Sequence, residues 1–410
     1  MEERGFGKLL ATLLEQAHET APGELAALIR RGARAMGLSD ASVFLADVQQ
    51  LRLVQLPDGP APPTPPERAA ALPIDGTLAG WAYRTMSMRL SSSPELVLWL
   101  PLVDGIERIG VLRIAAPAVD AATVAQCQAL ASLVALTVVS KTDFSDVILQ
   151  TVRSRPMSLQ AELAWAFMPP STLGTRQVSS SAVLEPAYEI GGDAFDHSLT
   201  DGRLHLTVVD AMGHDLLSGL SSAVALAGCR STRRGGGGLV DITTAVDEAL
   251  TRWVPDRPLT GVFADLDITG GELTWVNHGH PPPLLIRHQR VVPGALTRRS
   301  QLPLGLGPGY DSTPSTVHHA QLEPGDRILI HTDGVTEAHS ASGEYFGEPR
   351  LIDTIVRATA AGEPAPEALR RLVHAILDHQ HGRLNDDATI LLAEWHPHPP
   401  EPPSTGAAPG

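Results

Sequence analysis

Four aspartates in the second half of the chain carry the most informative spacing. Asp193 follows Gly191-Gly192. Asp210 closes the apolar run 204–209 and precedes Ala211-Met212-Gly213-His214. Asp333 follows the apolar run 328–330 and precedes Gly334. Asp386, with Asp387 behind it, follows Asn385 and precedes the apolar run 388–392. Each is an acid at the rim of a strand-like segment, beside a residue that permits a tight turn. One such aspartate is an ordinary turn former. Several in one domain, at strand ends that a sheet can bring to a common edge, are harder to explain that way. Converging unpaired carboxylates repel one another unless a cation neutralises them. Oxygen ligands without cysteine suit a hard cation, Mg²⁺ or Mn²⁺. Two such ions side by side activate water and hold a phosphoryl group.

Other chemistry has less support. The two cysteines, Cys127 and Cys229, lie in apolar helix-like runs, where buried inert thiols are expected. Neither opens a Cys-x₅-Arg loop, and together they make no disulfide framework or cysteine-rich zinc site. Gly235 to Gly238 lacks the lysine of a P-loop and reads as a loop. His278 and His280 fall on the same side of a strand, so they are either a zinc pair or loop-shaping residues. His214 is either a turn residue or a general acid.

These residues sit in a chain of 410 with 31 basic and 46 acidic side chains, 31 − 46 = −15 at neutral pH. That balance argues against non-specific nucleic-acid binding and against anionic membranes. A hydrophobic share of 43% marks a globular chain, long enough for two or three domains. The longest apolar stretches, 124–139 and 216–229, fall short of the twenty or so residues a membrane span wants. The N-terminus carries no secretory pattern, so a cytoplasmic protein is expected.

The elements that position the aspartates follow from periodicity. Residues 22–36 repeat apolar side chains at helical spacing, 42–46 and 51–56 are short strand-like runs, and 57–70 is a proline-rich loop. A short helix over 76–85 carries Trp81. Runs 96–103 and 109–114 flank Asp104-Gly105, a hairpin signal, and a long helix over 121–141 closes the unit. Phe144, Val147 and Ile148 continue its stripe into a helical connector, 142–170, interrupted at Pro156. The connector offers a seam for a homodimer. Beyond Ser171, strands are expected over 179–184, 203–209, 262–268, 272–276, 284–286, 326–331 and 388–393. Helices are expected over 216–229, 240–253, 350–358 and 367–380. Strands and helices do not alternate strictly, which favours an α+β layered fold. The tail 396–410 is proline-rich and expected to be disordered.

Residues 8–141 resemble a GAF domain in element order, in Ile74-Asp75-Gly76-Thr77-Leu78-Ala79-Gly80-Trp81 and in the hairpin ending at Gly110-Val111-Leu112. That resemblance implies a sensor for a small-molecule or protein signal. The second domain, 171–395, resembles the SpoIIE/RsbU branch of the metal-dependent PPM phosphatases. In order along the chain stand Glu189-Ile190-Gly191-Gly192-Asp193-Ala194-Phe195-Asp196, Val209-Asp210-Ala211-Met212-Gly213-His214, Asn277-His278-Gly279-His280-Pro281-Pro282, His331-Thr332-Asp333-Gly334-Val335-Thr336-Glu337-Ala338 and Asn385-Asp386-Asp387-Ala388-Thr389. Phe167-Met168-Pro169-Pro170 and Phe346-Gly347-Glu348 match as well. The resemblance implies a PPM-type β-sandwich flanked by helical layers, preceded by the smaller GAF-like α/β domain. It implies a protein serine/threonine phosphatase that uses metal-held water and two Mn²⁺ or Mg²⁺ ions, acting on a phosphorylated anti-anti-sigma-type protein. Asp210 would bridge the ions and the Ala211 carbonyl would complete one site. Asp193 would serve the second ion directly or through water. Asp333 and Asp386 would hold the first, with Asp387 as the fallback to Asp386. Asp210, Asp333 and Asp386 are the expected catalytic set. Asp215 stands where the branch usually has glycine, which would add negative charge near the site. The alternative is a catalytically silent pseudophosphatase that binds partners in response to a signal.

Overall fold

Side chains alternate along a strand, so each sheet face is filled by every second residue. In β1 (Asp40–Ala46), Val43 and Leu45 enter one core while Phe44 enters another; in β6 (Glu107–Ala115), Leu112 and Ile114 go one way and Val111 the other. The computed structural model describes residues 3–59, 71–92, 95–189, 191–213, 215–307, 314–381, 384 and 386–397. It divides into two compact units, Met1–Pro156 and Met157–Gly410.

The first unit holds α1 (Glu3–Glu19), α2 (Leu25–Ala35), β1, β2 (Arg52–Gln55), β3 (Ala71–Pro73), α3 (Leu78–Thr85), β4 (Arg89–Ser91), β5 (Val97–Asp104), β6, α4 (Ala121–Thr142) and α5 (Asp146–Val152). Among the described residues its strands form one antiparallel sheet, ordered β3-β2-β1-β6-β5-β4. One face packs on α1, α2 and α4 through Leu25, Leu28, Ile29, Leu130, Val134 and Val138. The other packs on α3 through Ile74, Ala79, Ala82 and Tyr83. The hairpin turns at Gly105, with φ +61°. By length and composition α4 could cross a membrane, but Cys127, Leu130, Ala131, Val134, Ala135 and Val138 are buried in the unit's core. Burial pushes the Cys127 thiol up to about 11, as expected of an inert core residue.

The connector does not continue α4 as the stripe through Phe144, Val147 and Ile148 suggests. Ser145 Oγ accepts from the Ile148 N–H at 3.1 Å and starts α5 afresh, and Ser158 Oγ accepts from the Ala161 N–H at 3.1 Å and starts α6 (Leu159–Phe167). Two serine N-caps are stop-and-restart signals that override the apolar stripe. The division between the units falls inside this segment.

The second unit continues with β7 (Thr172–Gly174), β8 (Val178–Glu185), β9 (Asp193–Thr200), β10 (Arg203–Ala211), α7 (Leu216–Arg234), α8 (Leu239–Trp253), β11 (Leu259–Asp267) and β12 (Glu272–His278). Then come β13 (Leu284–Arg287), β14 (Arg290–Val291), β15 (His318–Gln321), β16 (Arg327–His331), α9 (Asp333–Thr336), α10 (Gly347–Ala360), α11 (Ala365–His379) and β17 (Ala388–Trp395). Among the described residues the strands form two antiparallel sheets, β15-β12-β11-β10-β9 and β14-β13-β16-β17-β8-β7. Their inner faces share one core: Phe195, Leu206, Val208, Val262 and Trp275 meet Leu184, Ile328, Ile330, Leu391 and Trp395. The outer face of the first sheet packs Val209, Phe263 and Val276 on α7 and α8. The outer face of the second packs Leu329, Ile390 and Leu392 on α10 and α11. This is the α+β layering expected: helices, sheet, sheet, helices.

Strand β9 has no apolar alternation to reveal it, because its polar residues are satisfied by partners far away in sequence. Asp196, 2% exposed, accepts from Arg230 Nε and Nη2 at 3.1 and 2.7 Å and from Arg233 Nη1 at 2.9 Å, which fastens β9 to α7. On the opposite face His197 bonds Ser180 Oγ at 2.9 Å and the Pro170 carbonyl at 2.7 Å. Part of the proline-rich loop (60–70) and of the tail (398–410), with Ile190, His214 and Asn385, lie outside the described residues.

Removing one partner of a buried ion pair strands the others without compensation. Asp196→Ala is therefore expected to lower the unfolding free energy by about 3 kcal/mol, measured by urea titration. A loss below about 1 kcal/mol would mean that the two arginines find other partners.

Candidate active site

The parity that builds the inner core also delivers the acids. On β9 Phe195 faces inward, so Asp193 does too. On β10 Leu206 and Val208 face inward, and Asp210 follows them. On the second sheet Ile328 and Ile330 lead to Thr332, and Leu391 and Ala393 lead back to Thr389 and Asp387. At one end of the sandwich the inner face thus changes from apolar to polar on four strands.

Asp193 and Asp210 are cross-strand partners in the β9–β10 ladder. Asp193 is 2% exposed, and its Oδ2 accepts from Thr332 Oγ1 at 2.8 Å. The same Thr332 oxygen accepts from the Thr389 N–H at 2.9 Å, so Asp193 is tied to two strands of the opposite sheet. Asp387 makes the reverse tie. From the start of β17, its Oδ2 accepts the Gly191, Gly192 and Asp193 N–H groups at 2.7, 2.7 and 3.3 Å. Its neighbour Asp386 is exposed, with Oδ1 accepting the Asp387 N–H at 2.9 Å. Asp387 is committed to the backbone and Asp386 faces the rim. The geometry thus favours Asp386 over the fallback as the acid available to an ion. Asp333 opens α9 and is exposed.

Two glycines are required by close approach. A Cβ on Gly192 would stand 2.2 Å from the Ala211 carbonyl oxygen and 2.8 Å from that of Gly213. Any side chain there would displace the carbonyl that the phosphatase resemblance gives to an ion. A Cβ on Gly334 would stand 1.9 Å from the Asp387 carbonyl oxygen, so glycine is what lets the Asp333 turn lie against Asp386-Asp387.

The acids feel one another. Burial, then the charges of Asp333, Asp386 and Asp387, push Asp210 up to about 7. Burial, then Asp210 and Asp387, push Asp193 well above the carboxylate range, against the hydroxyls of Thr332 and Thr389. Asp387 is also raised, chiefly by burial, although the three backbone N–H groups pull the other way. Such a group must hold protons or attract a cation. Among the described residues no three Asp, Glu, His or Cys side chains close tightly enough to enclose an ion by themselves. The donor set nevertheless fits Mg²⁺ or Mn²⁺, because Mg²⁺ is ordinarily held by one or two carboxylates and keeps several waters. Asp210, the Ala211 carbonyl, Asp333 and Asp386 are the residues that would contribute on the phosphatase resemblance, with Asp193 behind them.

The histidines do not form a zinc pair. His278 Nδ1 lies 2.9 Å from the Leu302 carbonyl oxygen and Nε2 2.9 Å from Ser315 Oγ, while His280 Nδ1 lies 3.1 Å from Thr260 Oγ1. Gly279, at φ +71°, breaks the strand between them and sends the rings to different partners. Burial, then His331, lowers His280 to about 3 and keeps it neutral. Asp215 does not add free charge. Its Oδ1 caps α7 from the Ser218 N–H at 3.0 Å, and its Oδ2 accepts from Arg257 Nη2 at 2.8 Å. Thr332 and Thr389 went unrecognised at the sequence level, although strand parity places both beside the acids. Arg257, far from Asp215 in sequence, left no local signal at all.

Residues 200–396 match the family model described as Stage II sporulation protein E (SpoIIE). The chain is 24% identical over 291 residues to Protein IcfG of Synechocystis sp., covering 62% of this chain and 44% of that protein. It is 22% identical over 250 residues to the phosphoserine phosphatase RsbU of Bacillus subtilis, covering 59% and 72%. The chain thus spans less than half the length of the first of these relatives. Among solved structures it is similar to the SiaA-PP2C domain of Pseudomonas aeruginosa, with 19% identity, a TM-score of 0.49, and coverage of 57% of this chain and 94% of that one.

Two outcomes are expected. Asp387→Ala, which leaves three backbone N–H groups without their acceptor, should cost about 3 kcal/mol. Asp386→Asn, at an exposed rim, should stay within about 0.5 kcal/mol. Equal costs in denaturant titrations would contradict the division of roles. The second outcome concerns pH. In the metal-free protein a raised acid favours the folded state while protonated, and that contribution is lost as pH rises from the ordinary carboxylate value near 4 toward about 7. An added divalent ion binds the ionised form. The thermal-midpoint gain from millimolar Mn²⁺ should therefore grow between pH 5 and pH 7.5; a gain that shrinks would refute this account.

Proposed function

We propose that the second unit, which is of the SpoIIE/RsbU type of PPM phosphatase, hydrolyses phosphoserine or phosphothreonine on a regulatory protein by direct attack of water. The observation that carries this is the charge cluster around Asp210, which no arginine or lysine among the described residues neutralises and whose carboxyl is raised to about 7. A pair of divalent ions, when bound, would supply an activated water and neutralise the phosphoryl oxygens. Asp210 and the Ala211 carbonyl hold one end of that site from β10, and Asp333 and Asp386 hold the other from the second sheet. Asp193 and Asp387 keep the two sheets in register so that the distance between those ends does not drift. Because burial and its acidic neighbours raise Asp210 to about 7, ion uptake would compete with protonation and weaken in mild acid.

The substrate in this proposal is a phosphorylated anti-anti-sigma-type protein, as the RsbU likeness suggests, in the cytoplasm. The first unit, a GAF-like sensor in the same proposal, regulates the reaction. Mn²⁺-dependent hydrolysis of p-nitrophenyl phosphate by the full chain tests the enzyme, with Asp210→Asn expected to lower the rate more than about a hundredfold. Equal rates in both proteins would leave a silent scaffold as the better account. Phosphate release from a phosphoserine protein, and its absence with small phosphoesters of other classes, tests the substrate.

A further inference from the structure

The turn that carries Asp210 and Ala211 into α7 is held from outside the cluster. Met212 donates its N–H to the Pro258 carbonyl at 3.2 Å, and Gly213 follows at φ +96°. Asp215 then caps α7, and Ser218 Oγ lies 3.0 Å from both Asp215 Oδ1 and the Met212 carbonyl oxygen. Across this turn lies Arg257, just before β11. Its Nη2 reaches Asp215 Oδ2 at 2.8 Å and its Nη1 reaches the Met212 carbonyl oxygen at 3.4 Å. An arginine alone beside a helix N-terminus is unfavourable, since that end of the dipole is positive. An aspartate at the cap reverses the sign and gives the guanidinium a partner. The cap aspartate thus accounts for an arginine at this helix end.

We propose that Arg257, acting through Asp215, is a positioning residue for the ion site: the pair latches the Met212–Asp215 turn and so fixes the Asp210 carboxylate and the Ala211 carbonyl. The proposal rests on the metal-dependent reading of that site. It departs from the phosphatase resemblance, in which glycine is usual at the position of Asp215.

The sign of one measurement separates a latch from a stray charge. A cation near a cation site weakens binding by repulsion, so an Arg257 that acted only by charge would, on removal, tighten Mn²⁺ binding. An Arg257 that positions the turn would, on removal, loosen it. Mn²⁺ titration calorimetry on the full chain reads this without any turnover. Arg257→Ala is expected to bind Mn²⁺ about tenfold more weakly than the wild type. Arg257→Lys, which keeps the charge but not the two-pronged contact, should fall between them. Thermal melts of the metal-free proteins confirm that both variants fold. Wild-type affinity or tighter binding in Arg257→Ala overturns the latch and leaves the phosphatase reading intact. A wild-type protein that binds no Mn²⁺ overturns both.

Discussion

The structure of the second unit depends on one carboxylate that crosses between sheets. Asp387 leaves the six-stranded sheet and accepts three consecutive backbone N–H groups, Gly191 to Asp193, from the approach to the five-stranded one. Those donors lie just before and at the start of β9, and the buried carboxylate accepts all three. Asp193 returns the tie through Thr332, which in turn accepts from Thr389. Elsewhere the sheets meet chiefly through apolar packing, joined by the His197–Ser180 and Trp395 Nε1–Ile268 carbonyl contacts, and such packing tolerates small slides. A hydrogen-bonded clasp does not, and it sits at the end where the rim acids must keep their spacing.

The clasp carries a cost in charge. Burying Asp193 and Asp387 next to Asp210 raises all three, and the exposed Asp333 and Asp386 add to the field on Asp210. Among the described residues no arginine or lysine pairs with these acids, so this end of the second unit keeps an electrostatic tension. Its buried arginines are engaged elsewhere: Arg230 and Arg233 with Asp196 on the outer face of β9, and Arg370 with Glu367 in α11. A group of carboxylates without a cationic partner among the described residues would gain stability from a bound cation.

Much of this was legible in the sequence because the relevant signals are local. Apolar runs of period two gave β10, β16 and β17 to within a residue or two, and the aspartates at their ends marked the rim. What stayed hidden rests on partners distant in sequence. Strand β9 is polar along its middle, and partners from other elements, Arg230 and Arg233 for Asp196 and Ser180 and the Pro170 carbonyl for His197, make its buried polar residues acceptable. The break between α4 and α5 is set by one capping serine within an apolar stripe. The pairing of the Asp215 charge depends on Arg257, distant in sequence. The two histidines shared strand parity on paper, but Gly279 ends the strand between them and parity no longer applies.

Parity also explains why motif residues come in adjacent pairs with different duties. Consecutive residues at a strand end point to opposite sides, so in Thr332-Asp333 and in Asp386-Asp387 one member turns into the sandwich and the other out to the rim. Thr332 and Asp387 make the inter-sheet ties, while Asp333 and Asp386 are exposed where an ion and a phosphoryl group can reach them. A shift of one residue in either strand would exchange the duties. The carboxylate now exposed at the rim would be buried against backbone, and the tie would hang in solvent. Gly334 closes off that alternative, since its backbone lies against the Asp387 carbonyl with no room for a side chain. Register, clasp and rim are thus one constraint, and the site's acids cannot be moved without undoing the packing that places them.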